Sequence, residues 1–247
     1  MKSILCFETT EESEKHEALI KRQMERLGKY EEVLRSSYRL EEMPKAVIWT
    51  STELATTVFS TIPIPAYTNE EFIYLSPELE QWRDLMLLQL DGKELPEIQA
   101  YYEKFGEDHL FEILAHELTH HSALFVDEFD DDREDSIWFE EGMCFYLPRR
   151  FLGEEYFNEV TKVEDDLVKA HQVKYGGHSL DDFGSGTYEG SIPSIMFDYW
   201  RSFLKVKDIV EFHHGDVQQV FRLYHEWHET GRNQSLSAYF DDICTTV

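Results

Sequence analysis

The sequence predicts an α+β fold that is mostly helical: a small N-terminal β-sheet packed on one buried helix, then a helical C-terminal lobe. Three observations predict it. Short runs rich in β-branched and aromatic residues fall between positions 46 and 75. From Ser76 onward apolar residues recur at helical spacing. A stretch over 107–125 is apolar on nearly every side, as in a helix enclosed by other elements. At 247 residues the chain is long enough for a single domain of two lobes, an α/β lobe to about 125 and a helical lobe over 126–247.

Residues 11–42 are charged and helix-favouring, with Leu19, Ile20, Met24, Leu27, Val33 and Leu34 at rough helical spacing, and Pro44 ends the run. Residues 46–49 read as a short strand. Residues 62–67 and 72–75 read as two more extended segments, and Pro63 and Pro65 suit the first to a sheet edge. Ser76 can cap the next helix, with Pro77 at its first position. Pro96 opens another helix, which Gly106 closes. The enclosed helix over 107–125 carries Leu110, Phe111, Ile113, Leu114, Ala115, Leu118, Ala123 and Leu124, so a polar side chain within it needs a reason. Residues 126–136 form an acidic loop that includes Asp127, Glu128, Asp130, Asp131 and Asp132. It lacks the Gly and the terminal Glu of an EF-hand and reads as a solvated turn. Helices resume at about 137–147, 153–175, 191–213, 216–229 and 235–243.

The chain has 50 Asp and Glu against 23 Lys and Arg, a formal net charge of −27. Such a surface repels phosphate backbones and anionic membranes, which argues against nucleic-acid and membrane partners. A basic partner would be attracted at low salt; a soluble acidic protein is the plainer account of the charge. Cys6, Cys144 and Cys244 are far apart and form no C-x-x-C pair, so neither a disulfide framework nor a thiolate zinc site is expected. The apolar patch at 4–7 is too short for a signal peptide, and no apolar run reaches transmembrane length. The expected location is the cytoplasm.

The chemistry lies in His116-Glu117-Leu118-Thr119-His120, an H-E-x-x-H sequence within the enclosed helix. Histidines four residues apart project from one face of a helix and can bind one zinc ion, and Glu117 can reach the water beside it. The pattern arises by accident in roughly a few per cent of shuffled chains of this composition, so alone it does not decide. It gains weight from the helix it sits on, from that helix's otherwise apolar character, and from a candidate third ligand downstream in Trp138-Phe139-Glu140-Glu141-Gly142. His213, His214, His225 and His228 lack an acidic or cysteine partner at convincing spacing and read as surface-helix residues rather than a second metal site.

W-x-x-E-G after H-E-x-x-H resembles the gluzincin metallopeptidases, the class of thermolysin-like and aminopeptidase-like enzymes. The resemblance covers roughly residues 45–245 and implies a small, single-domain zincin-like fold with one zinc ion per chain and a peptide or protein as substrate. It implies His116, His120 and Glu141 as zinc ligands, Glu141 rather than Glu140 because it precedes Gly142. It implies Glu117 as general base. Tyr188, in Gly-Thr-Tyr-Glu-Gly ahead of a helix near Ser191, matches the tyrosine that hydrogen-bonds the oxyanion, and residues 72–75 match an edge strand along which a peptide lies. Two departures matter. The G-x-M-x-N segment of the aminopeptidases is missing, which favours endopeptidase over aminopeptidase activity. Phe145 stands where thermolysin-like enzymes carry an Asp that orients a zinc ligand, so that carboxylate must come from elsewhere, the acidic loop being one source. A catalytically silent member of the fold with a binding role, and a zinc hydrolase of a non-peptide amide or ester, remain alternatives to a peptidase.

Overall fold

The computed structural model describes residues 1–127, 129 and 135–245, and of Ser185 the backbone alone. The fold is α+β and mostly helical, with one four-stranded sheet among the described residues. Contacts divide it into two compact units, Met1–Ala123 with Leu147–Gly153, and Leu124–Tyr146 with Glu154–Val247.

The first unit opens on β1 (Lys2–Cys6), α1 (Thr10–Ser37) and β2 (Ala46–Thr50), a β-α-β unit whose strands pair in parallel. Thr9 caps α1, its hydroxyl accepting from the Glu12 amide at 3.2 Å. The helix ends at Ser37, seven residues before Pro44, where Arg39 takes a left-handed conformation (φ 50°). The chain continues through α2 (Thr52–Leu54), a π-helical turn (Ala55–Phe59), β3 (Ala66–Thr68) and β4 (Phe72–Leu75). Asn69 turns the β3–β4 hairpin, its side-chain oxygen accepting from the amides of Glu71 and Phe72 at 3.0 and 2.9 Å. The strand order is β1-β2-β4-β3. Two expectations change here. Residues 2–6 form a strand that the sequence reading missed. Residues 72–75 are not an edge: β4 pairs with β2 on one side and β3 on the other, and β3, after Pro63 and Pro65, is one edge of the sheet, with β1 the other.

Three helices follow, α3 (Leu79–Leu88), α4 (Pro96–Tyr102) and α5 (Glu107–Thr119). Ser76 does not cap α3. Glu78 holds the cap position, and the Ser76 hydroxyl accepts from the Glu78 amide instead. Helix α5 packs against β3 and β4 and along α1, which accounts for its apolar surface. Arg22 and Arg26 of α1 pair with Glu107 and Asp108 at the start of α5, at 2.8 and 2.7 Å. Near its other end, the buried Tyr30 hydroxyl lies 2.8 Å from that of Thr119, which donates in turn to the Ala115 carbonyl at 2.7 Å. Helix α5 stops six residues short of the expected 125. After His120 the chain turns away to bond the end of α1: the Ser122 hydroxyl donates to the Tyr38 carbonyl and the Ala123 amide to that of Arg39.

The second unit is helical. α6 (Ile137–Leu152) runs through Pro148, five residues past its expected end, and its last turn belongs with the first unit. α7 (Glu154–Tyr175) packs on α8 (Ile192–Phe212), and α9 (Val217–Glu229) and α10 (Leu236–Thr245) pack on α8. Short 3-10 turns at Leu180–Asp182 and Ser185–Glu189 join α7 to α8. Phe139 at the start of α6 stacks on Tyr224 and Phe240, with centroids 4.4 and 5.7 Å away, in an aromatic core. Among the described residues, no helix is long and apolar enough to cross a membrane.

Candidate metal centre

His116 and Glu117 lie in the last turn of α5, and His120 is its cap with helical dihedrals (φ −55°, ψ −23°), so the four-residue geometry of one face survives to the helix end. The two Nε2 atoms lie 3.1 Å apart. Two nitrogens each about 2.0–2.1 Å from a tetrahedral zinc ion would stand about 3.3 Å apart, so the pair is spaced for one metal. Glu141 completes the group: one donor atom from each of His116, His120 and Glu141 lies within 4.8 Å of the other two, and His116 and Glu141 are buried. Two imidazoles and a carboxylate are a donor set of the kind that could hold a metal ion such as zinc. Glu117 is buried too, about 60° around the helix from His120.

Glu140 and Glu141 start α6 in different surroundings. The Trp138 indole donates to Asp181 at 3.0 Å, fixing the start of α6. Glu140 is buried near Tyr224, where burial and then the charges of Glu140 and Asp127 push the phenol pKa up. Gly142 lies where α6 meets α8. A Cβ there would come 2.5 Å from the Ser202 carbonyl oxygen and 2.5 Å from Val206 Cγ2. The glycine after Glu141 is therefore demanded by close packing within the second unit.

No protein-family model, curated protein or solved structure matches the chain.

The sequence reading did not foresee the groups that hold these residues. His121, next to His120, has its Nε2 2.7 Å from the Thr68 hydroxyl on edge strand β3, and its pKa falls to about 4 through burial and then the neighbouring His120. Tyr188, in the turn Ser185–Glu189, has its hydroxyl 2.7 Å from that of Tyr199 on α8. The Tyr199 ring packs edge-on to Phe145, one turn beyond Glu141. Tyr188 thus lies two contacts from the Glu141 helix, and Phe145 serves as an aromatic partner rather than as an acid. Arg149, two turns past Glu141, is buried with Glu112, one turn before His116: Nε and Nη2 lie 2.9 and 2.8 Å from the same Glu112 oxygen.

Two of the four histidines of the C-terminal helices have partners within the second unit. His225 donates to the Leu124 carbonyl at 2.7 Å, and His228 Nδ1 accepts from Arg232 at 3.1 Å. Arg232 also pairs with Asp127 and, at 2.9 Å, with Asp135. These two carboxylates of the acidic loop are therefore engaged by an arginine. Glu128 and residues 130–134 of that loop lie outside the described residues.

Proposed function

We propose that the chain is a zinc metallopeptidase of gluzincin type, holding one zinc ion through His116, His120 and Glu141 and hydrolysing peptide bonds of a peptide or protein substrate. The observation that carries this reading is the gathering of those three donors within 4.8 Å from two separate helices, with the buried Glu117 next to the first of them.

A zinc ion held by His116, His120 and Glu141 would supply a Lewis acid for the scissile carbonyl and the attacking water. Glu117 accepts the water's proton and passes it to the leaving amine. Tyr188 donates its hydroxyl hydrogen to the oxyanion, a task suited to a phenol, which is neutral and a good donor at pH 7. Burial of His116, Glu117 and Glu141 keeps bulk water from weakening these interactions.

Endopeptidase activity is favoured over aminopeptidase activity. Residues 62–75 contain no Gly and no Met, so the G-x-M-x-N strand that helps hold a free amino terminus has no counterpart. The cytoplasm is the compartment this reading assigns, with Cys6, Cys144 and Cys244 outside any disulfide.

Glu117→Gln tests the mechanism. The variant should keep its zinc and lose about a thousandfold in hydrolysis of a mixed peptide library. Cleavage at the parent rate would remove Glu117 as general base.

A further inference from the structure

We infer that β1 is a docking edge for a second copy of this chain: two β1 strands pair antiparallel about Ile4 and join two four-stranded sheets into one of eight. The inference lies within the first unit and does not depend on the metal reading.

The two edges of the sheet differ. β3 has three residues, follows Pro63 and Pro65, and pairs back on β4 across a hairpin. Short length and nearby proline are usual protections of an edge. β1 has five residues, with no proline, no glycine and no strand on its outer side among the described residues. Residues 2–5 are all exposed, Ile4 at 43% and Leu5 at 42%. An open strand of this kind presents unpaired backbone amides and carbonyls, a template for another strand.

The side chains suit a further strand as well. Register sets Ile4, Ile48, Tyr74 and Tyr67 side by side across the four strands, so they share one face. Each is at least part-exposed, while Val47, Trp49, Ile73 and Leu75 on the other face are buried. The half-open row stops at Ile4.

Register and charge name the occupant. Centring on Ile4 is the register that pairs all five residues of β1 with their own copy: Ile4 meets Ile4, Ser3 meets Leu5 and Lys2 meets Cys6. The apolar row then runs unbroken through both sheets. Residues 1–7 contain no acid and one basic side chain, Lys2, in a chain of net charge −27. Glu8, the first acid, lies two residues past Cys6, so each Lys2 has Glu8 of the other copy on its diagonal, within reach of a long side chain. The Ser51 hydroxyl donates to Glu8 at 2.6 Å and holds it at that end of the strand. The contact is small. Five paired residues make a seam about 17 Å long. Such a seam covers less than the roughly 1,200 Å² that stable interfaces bury, so the dimer is weak and forms with rising concentration. The other acids of the two chains repel, so salt strengthens it.

Sedimentation equilibrium of the intact chain over a concentration series tests this. The parent should pass from monomer to dimer in the micromolar range, at lower concentration in about 0.5 M salt than in about 0.05 M. Ile4→Lys puts a charge at the centre of the edge and should need at least about tenfold more protein to dimerise, with the melting temperature of the parent. In a Cys6→Ser/Cys244→Ser background, Ile4→Cys should give a disulfide-linked dimer on mild oxidation and Ser3→Cys should not, because opposed residues of an antiparallel pair stand about 4.5–5.5 Å apart, within disulfide reach. A parent that stays monomeric at both salt concentrations would overturn the inference, and so would a dimer that Ile4→Lys leaves intact. Should Ile4→Lys not fold, the cross-link decides: linkage through Ser3→Cys in place of Ile4→Cys, or through neither, overturns it equally.

Discussion

The hydroxyls of Tyr188 and Tyr199 lie 2.7 Å apart, so one phenol donates to the other and holds it in place. If Tyr188 serves the oxyanion, its contribution comes mainly at the transition state. Tyr188→Phe should then lower kcat about a hundredfold while KM stays similar, because losing one oxyanion donor costs roughly 3 kcal/mol. Steady-state kinetics on a cleaved peptide decide it: a rise in KM with kcat intact would reduce Tyr188 to a binding contact. At this scale the sequence was legible where spacing alone fixes geometry. Residues four apart on a helix must share a face, so His116 and His120 could be paired on paper, and Gly142 singled out Glu141 from Glu140. The long-range partners of the residues around the motif were not legible. Tyr199, Thr68, Arg149 and Glu112 find their partners across 11 to 53 residues of sequence, and nothing in the local pattern of an arginine or a threonine announces a distant carboxylate or imidazole.

Among the elements, α6 depends most on a single small residue. A Cβ at Gly142 would collide with the backbone oxygen of Ser202, which cannot rotate aside as a side chain can. Gly142→Ala should therefore destabilise the protein by about 2 kcal/mol through overpacking, with a fall in melting temperature of about 4–8 °C. A melting temperature equal to the parent's would show that α6 and α8 can separate at no cost. The helices of the second unit were legible to within a few residues, since long amphipathic patterns are the strongest sequence signal. The sheet was harder. β1 is five residues long, and its Ile4 and Leu5 are exposed on successive positions, so it shows neither alternation nor a buried run. The interior place of β4 follows from pairing with β2, more than 20 residues earlier, which a short apolar segment cannot reveal. The early end of α5 is likewise a tertiary effect, set by bonds from Ser122 and Ala123 to the end of α1.

The molecule as a whole places a β-α-β unit and its helices in one compact unit and an all-helical bundle in the other, with Glu141 on the helix that ends among the residues of the first. The order of a little β followed mostly by α was readable from where β-type runs stop, near residue 75. Function at this scale predicts a preference about chain ends. A peptide and its N-acetylated twin should be cleaved at similar rates, because acetylation removes a charge that an endopeptidase does not read. Collapse of cleavage on acetylation, with single residues released stepwise, would point to an aminopeptidase. The net charge of −27 adds that raising the salt concentration should slow cleavage of basic peptides more than of acidic ones. The expectations about cleavage stand on the proposed metal site at His116, His120 and Glu141. The most direct measurement is the zinc content of protein purified without chelator, for the parent, His116→Ala, His120→Ala and Glu117→Gln. The account predicts about one zinc per chain in the parent and in Glu117→Gln, and close to none in the two histidine variants. A parent without zinc even after incubation with it, or full retention in both histidine variants, would contradict the metal centre at its root.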